Sequence, residues 1–214
     1  MRFATDFTTW QRIASFKATA STDPFRPILQ AVSLTVKKGT LTVASTTSYV
    51  LSRTRLDVSD AANGQALVKA SALARSVSHA RAVARDHGFS DSKKSIAKIR
   101  DLRVRVDLSE DGKRVNVSFG DDGLLGVALP VIDAKFPEYE AMIPDVADME
   151  LGAQPVGVNP DVFRLLAGTA PQGAPLIMRC QDPLKPVVFT SPVDPEWIGL
   201  AMPVRMVSTA EVAA

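Results

Sequence analysis

The stretch Trp197-Ile198-Gly199-Leu200-Ala201-Met202-Pro203-Val204-Arg205-Met206, close to the end of the chain, decides how the rest is read. Trp197 to Leu200 have the aromatic and branched apolar character of a β-strand. Pro203 breaks the strand, because it has no N–H to give to a ladder. Two readings follow for the residues around that proline. They close a sheet as an edge strand, or Met202, Val204 and Met206 offer soft apolar surface, with Arg205 as a polar anchor, to a partner peptide.

Working back from this tail, the sequence sets out one order of elements three times. In the last copy, Met149 to Val158 reads as a strand. Asn159 is an N-cap with Pro160 at the first helical position, Val162, Phe163, Leu165 and Leu166 follow, and Gly168 ends the helix. Strands at Leu176–Cys180, Val187–Ser191 and Trp197–Met202 complete it. The first copy opens with Arg2-Phe3-Ala4. A helix capped by Asp6 or Thr8 then runs to about Ala20, with Trp10, Ile13 and Ala14 on one side and Thr8, Arg12, Ser15 and Thr19 on another. Val32, Leu34 and Val36 alternate, Lys38-Gly39 turns into Leu41 and Val43, and a third strand spans Tyr49 to Val58. The second copy has a strand at Gln65–Lys69 and a helix from Ser71 to about Asp86 with Leu73, Val77, Ala80 and Ala84 in one stripe. Alternating runs at Leu102–Leu108 and Val115–Phe119 and a strand at Leu124–Leu129 finish it. The polar stretch Gly88 to Lys98 has too little apolar content for a core and reads as a mobile basic loop. The expectation is an α+β protein of three tandem βαβββ units, at 1–60, 61–145 and 146–214.

The 214 residues, 46% hydrophobic and 22% charged, contain enough apolar material for a core and no apolar run near the ~20 residues of a membrane helix. The opening Met-Arg-Phe-Ala-Thr-Asp lacks the apolar centre of a signal peptide, which places the chain in a cytoplasm. Cys180 is the only cysteine, so an intrachain disulfide is excluded; its setting suggests a small buried strand residue. The two histidines, His79 and His87, have no carboxylate pair or cysteine cluster in sequence nearby. No metal-ligand spacing, Gly-rich phosphate loop or nucleophile elbow occurs, so no enzyme activity, metal or cofactor is expected. The net charge of +2 is unevenly spread. Residues 66–100 hold eight Lys or Arg against Asp86 and Asp91, a net +6 that leaves −4 on the rest. Such a segment is either a solvated helix face or the footprint of phosphate-backbone binding.

Three short stretches together resemble one family. Met202-Pro203-Val204-Arg205-Met206 is similar to the Met-Pro-x-Arg-Leu type ending of the bacterial sliding clamps, the β subunits of the replicative DNA polymerase. Lys135-Phe136-Pro137-Glu138-Tyr139-Glu140 leading to Ile143-Pro144, and Arg26-Pro27-Ile28-Leu29 ahead of a hairpin, resemble clamp sequence in the same order. The resemblance implies a DNA-clamp fold, with helices on an inner face and antiparallel sheets outside, and a non-enzymatic processivity factor that encircles duplex DNA. Family subunits carry six such units, two to a domain, and a ring carries twelve. Here the first two units resemble an amino-terminal domain and the third a final half-domain, which on arithmetic implies a homotetrameric ring.

On that resemblance, Arg12, Arg75, Arg81, Arg85 and Arg164 face the phosphates from the helices, with Arg26, Lys93, Lys94 and Lys98 assisting at the rim. Lys17 stays open between the two faces, since its spacing from Trp10 and Ile13 puts it near the buried side of its helix. Met202, Pro203, Val204, Arg205 and Met206 receive a peptide from a polymerase, clamp loader or repair factor. The other wall of that peptide pocket belongs to a part of the clamp expected to be missing, and Thr46-Thr47-Ser48-Tyr49 stands where the family has Asp-Gly-His-Arg. A lone half-domain leaves strand edges and an apolar sheet face for a partner to cover. Two other readings stay open: an interaction protein that binds a polymerase or clamp subunit without encircling DNA, and a plain DNA-binding module.

Overall fold

The computed structural model describes residues 1–86, 102–120, 125–146, 149 and 156–204. Arg2–Asp6 is strand β1 and Phe7–Ser15 helix α1, capped by Asp6, whose carboxylate accepts from the Thr9 N–H at 2.7 Å. The helix is shorter than expected, because the chain tightens into a 3₁₀ turn over Phe16–Thr19. This turn buries Phe16 and also Thr19, whose hydroxyl meets Ser45 Oγ at 2.6 Å. Ala31–Lys37 (β2), Thr40–Thr46 (β3) and Val50–Asp57 (β4) form an antiparallel meander. Lys38 and Gly39, at φ of 50° and 83°, make the two-residue turn that matches the twist of a hairpin. An unexpected fourth strand, Ser59–Ala62 (β5), follows.

The second unit has Gly64–Lys69 (β6), Ala70–Asp86 (α2), Arg103–Leu108 (β7), Arg114–Phe119 (β8) and Leu125–Pro130 (β9). The third has the helix Pro160–Ala167 (α3), capped by Asn159 as the sequence indicates, and strands Ile177–Arg179 (β10), Val187–Thr190 (β11) and Ile198–Ala201 (β12). Of the strand expected over Met149–Val158, the described part shows one bridge, Gly157 to Val204. Cys180 lies just beyond β10, half-buried, rather than inside a strand as its sequence setting suggested; the three-residue strand ends before it.

The sheets do not follow the unit boundaries. The opening strands are exchanged: β1 pairs with β7 of the second unit, and β6 pairs with β2 of the first. One sheet runs β5-β1-β7-β8-β9, and the other runs β10-β11-β12-β4-β3-β2-β6. The third unit thus extends the first unit's sheet through the β12–β4 ladder, Ile198 opposite Arg53 to Ala201 opposite Val50. Both sheets bury their inner faces against the helices in one core that includes Trp10, Phe16, Leu73, Leu166, Phe189 and Trp197. A buried hydroxyl pair and a glycine bring the third unit onto the first: Ser52 and Thr169 meet at 2.8 Å, and a Cβ on Gly168 would stand 2.5 Å from the Ala18 Cβ. Gly199 on β12 lies under α3. A Cβ there would come within 2.7 Å of Leu166 Cδ2 and 2.9 Å of Trp197 Cη2. Gly199→Ala is therefore expected to destabilise by about 1–3 kcal/mol through overpacking. Urea unfolding measures it, and an unchanged midpoint would mean that α3 does not sit against β12.

Candidate functional site

Two surfaces gather the residues singled out by the sequence. The first is an apolar cleft of about 230 Å³ where the first and third units join. One wall is the β3–β4 turn: Ser48 adopts a φ of 81°, Thr46 Oγ1 accepts from the Ser48 N–H at 3.1 Å, and Tyr49 stands 65% exposed. A second wall is β12 and the residue after it, Leu200 and Met202, fixed by the Met202 N–H donating to the Tyr49 carbonyl at 2.8 Å. The third is the segment Lys135–Ile143, which crosses the outer face of the seven-stranded sheet. Phe136 is buried on Ala31, Ala44 and Leu67, while Tyr139 also reaches the patch of Leu51, Val188, Ile198 and Leu200. Phe136 and Tyr139 meet edge to face at 6.0 Å. Burial pushes the Tyr139 phenol above its ordinary pKa. Pro137, Tyr139 and Met142 complete the cleft.

The described residues themselves wall this cleft on three sides. The β12–β4 ladder supplies the junction directly. Met202 lines the cleft and is 37% exposed; Pro203 and Val204 are not among the residues lining it, and the Val204 N–H donates to the Gly157 carbonyl at 2.8 Å. Arg205 and Met206 lie outside the described residues. Sequence reasoning placed the Thr46–Tyr49 turn by a pocket but missed Tyr139, Met142 and Leu200 as lining residues. The Phe136-Pro137-Glu138-Tyr139 stretch was the available signal, since an apolar run in an acidic segment with no strand pattern has to cover something. Beneath the cleft, Arg53 is buried on the outer side of β4, donating to the Glu196 carbonyl at 3.0 Å, with the Glu196 carboxylate at 3.5 Å. Burial holds its guanidinium below the usual arginine range.

The second surface is the helical side. Arg75 and Arg81 are exposed on α2. A cleft of about 560 Å³ between α1, α2 and the turn after α3 is lined by Arg12, Lys17 and Arg81. Gln11, with its amide oxygen turned to Arg81, accepts from Nη2 at 2.6 Å. Lys17 is exposed here rather than near the buried side, because the 3₁₀ turn rotates it away from the line of Trp10 and Ile13. Arg12 is a correction of the opposite kind. It is half-buried, ion-paired with Asp194 of the third unit, and donates to Thr54 Oγ1 at 3.0 Å. Its Nε has no partner, and burial lowers its pKa. Arg12 joins two units, and its guanidinium is committed to Asp194 and Thr54 rather than standing free at the surface. Arg164 is exposed on α3 beside Asp161 at 3.2 Å, a surface pair of little energetic weight. Arg26 is not on this side: it pairs with Asp23 at 3.4 Å and reaches Ser48 Oγ at 3.5 Å, by the apolar cleft. The side chain of Arg85, in the last turn of α2, and the segment with Lys93, Lys94 and Lys98 lie outside the described residues.

Among the described residues, no group of three or more His, Cys, Asp or Glu gathers as a metal site, and no helix is long and apolar enough to cross a membrane. No protein-family model and no curated protein matches the sequence. Solved structures do match. A DNA polymerase sliding clamp from Bacillus subtilis aligns over 97% of this chain and 65% of its own, with 14% identity and a TM-score of 0.66. A DNA polymerase III β subunit from Thermotoga maritima gives 97%, 66%, 15% and 0.66 in the same order. A sliding clamp from Pseudomonas aeruginosa bound to griselimycin gives 96%, 66%, 15% and 0.68. The chain spans about two thirds of the length of these subunits.

Proposed function

Because the chain has the sliding-clamp fold, we propose that it acts as a processivity factor: copies self-associate into a ring around duplex DNA and hold a polymerase and other replication proteins to it. Residues 1–145 form one complete domain and residues 146–214 a half-domain, so that four copies supply twelve units. Short apolar peptides from the polymerase, the clamp loader or a repair factor dock in the cleft beside Met202. Phosphates face Arg75, Arg81, Lys17 and Arg164, with Arg85 and the Lys93–Lys98 segment adding charge. Phosphate contacts carry no base readout, so such a ring slides.

The observation that carries this reading is the convergence of Tyr49, Tyr139 and Met202, from three distant parts of the chain, around one apolar cleft. Soft and aromatic side chains with few polar groups suit a short apolar anchor. Met202→Asp is expected to weaken a labelled Leu- and Phe-containing peptide by about 30-fold, the loss of one apolar anchor of ~2 kcal/mol. Fluorescence polarisation measures it, and unchanged affinity would move the docking site elsewhere. The ring is tested by light scattering and by retention on DNA. A four-copy species that stays on circular DNA and leaves it on linearisation is expected; a single-copy mass at micromolar concentration counts against the ring.

The shortened length favours a second reading, in which the protein binds a polymerase or another clamp subunit without encircling DNA. That reading predicts peptide docking at the same cleft with no topological retention.

A further inference from the structure

We propose that a second copy of this chain completes the third unit, by exchanging opening strands with it about a two-fold axis. The inference extends the ring reading above, but it rests on the internal repeat and needs no DNA.

The first two units begin with a strand and the third, in its described part, with the bridged segment at Gly157; each has two edges to satisfy. On one edge the three units agree: the opening strand bridges the residues that follow the unit's last strand. Ala4 faces Ser59, Val68 faces Val131, and Gly157 faces Val204. On the other edge the first two units exchange: β1 lies on β7, and β6 lies on β2. In the third unit, β10 holds the place of β2 and β7, as the first strand after the helix. Among the described residues β10 pairs only with β11, and the segment at Gly157 has no strand on its second edge. Among the described residues, one donor segment and one acceptor edge thus stand unpaired in the same unit. The reciprocal exchange that closes the first two units requires both.

The helices carry the same signature independently. Four residues beyond the residue that precedes each helix, the first unit has Trp10, the second Leu73 and the third Phe163. Trp10 and Leu73 are fully buried, and the Trp10 indole N–H donates to Ser76 Oγ on the neighbouring unit's helix at 3.0 Å. Phe163 is 42% exposed, although its ring meets Phe189 edge to face at 5.6 Å. Ile177 and Met178 on the open β10 edge are exposed as well, at 40% and 54%. Among the described residues no neighbour covers this position as in the complete pair, and an identical unit has the shape to supply one. Because each copy gives what it receives, the contact is isologous and closes at two.

The repeat also sets the register. Arg103 faces Asp6 and Ala31 faces Lys69, in each case the first paired strand residue against the residue before the sister helix. By the same rule, Ile177 faces Asn159 of the second copy and Met178 faces its Val158. Opposed residues at that spacing are within reach of a disulfide after small adjustments. The experiment mixes two single variants, Val158→Cys and Met178→Cys, each in a Cys180→Ser background, under mild oxidation. A covalent pair on a non-reducing gel that forms only in the mixture is the expected result. In parallel, light scattering of the unmodified chain without DNA is expected to give two copies or a multiple of two. The Phe163→Asp/Ile177→Asp variant, altered only at exposed positions, is expected to halve that mass without changing its circular dichroism. A single-copy mass at 50 µM, or an assembly that resists the double variant and gives no cross-link, would overturn the proposal. A two-copy species that never holds to circular DNA would instead overturn the clamp reading and leave this one standing.

Discussion

Reversing Lys17, Arg75 and Arg81 together to Glu is expected to abolish retention on circular DNA while leaving the protein folded. All three side chains are exposed, on α2 and the turn after α1, and the described structure gives none of them a carboxylate partner within salt-bridge distance. Their replacement therefore leaves no buried group unsatisfied, and surface changes of this kind alter stability by about 0.5 kcal/mol each or less. The effect on DNA is large because three phosphate contacts are lost and three repulsions appear. The log–log salt dependence of binding should fall by about 3 in slope, and the affinity at low salt by at least about a hundredfold. Arg12 is left out of the set deliberately, because reversing it would test the fold and not the surface. A triple variant that still loads and slides would mean that the helical side is not the DNA side.

Asp194→Ala is expected to cost about 2–3 kcal/mol of stability, at the lower end for breaking a buried ion pair because Arg12 keeps some access to water. Asp194 is itself buried, takes the Arg12 ion pair, and accepts from Thr54 Oγ1 at 3.3 Å. Without it, a half-buried guanidinium whose Nε already lacks a partner keeps only its bond to Thr54. For a chain of this size the loss corresponds to a fall of about 5–10 °C in melting temperature. Arg12→Met should cost at least as much as Asp194→Ala, because it strands the more deeply buried Asp194 carboxylate with only the Thr54 hydroxyl. Arg12→Met with Asp194→Ala together should recover part of the loss, and the double-mutant cycle gives the coupling. Equal melting temperatures for Asp194→Ala and the parent would free Arg12 to face phosphates after all.

The parts of this fold that were legible in the sequence are those set by local chemistry. Asp6 and Asn159 announce their helices because a short side-chain acceptor before a helix answers its first N–H groups. Lys38-Gly39 announces its hairpin because both residues take positive φ. The exchange of β1 and β6 was not legible, since a strand has the same alternation whichever neighbour it pairs with. Ser59–Ala62 gave no signal, being exposed at every position on a sheet edge. At the site, Met202 and the Phe136–Tyr139 stretch were readable as apolar residues without a core pattern. That they meet across β12 and β4 was not, because no local rule pairs residues so far apart. Arg12 misled for the same reason: its helical spacing is that of a surface residue, and its partner lies in another unit.

The exchanged strands also govern the order in which the chain becomes structured. At about 5–20 residues per second of synthesis, the ~100 residues separating β1 from β7 take on the order of 5–20 s to emerge. Until then the N-terminal strand has one of its two neighbours at most, and the β4 edge waits longer still for β12. A nascent chain of this topology holds unpaired strand edges through most of its elongation, where slow, non-local pairing invites aggregation. Ribosome-stalled fragments should accordingly depend on holdase chaperones until residues beyond β7 are out, and rare codons downstream of β6 would lengthen that dependence.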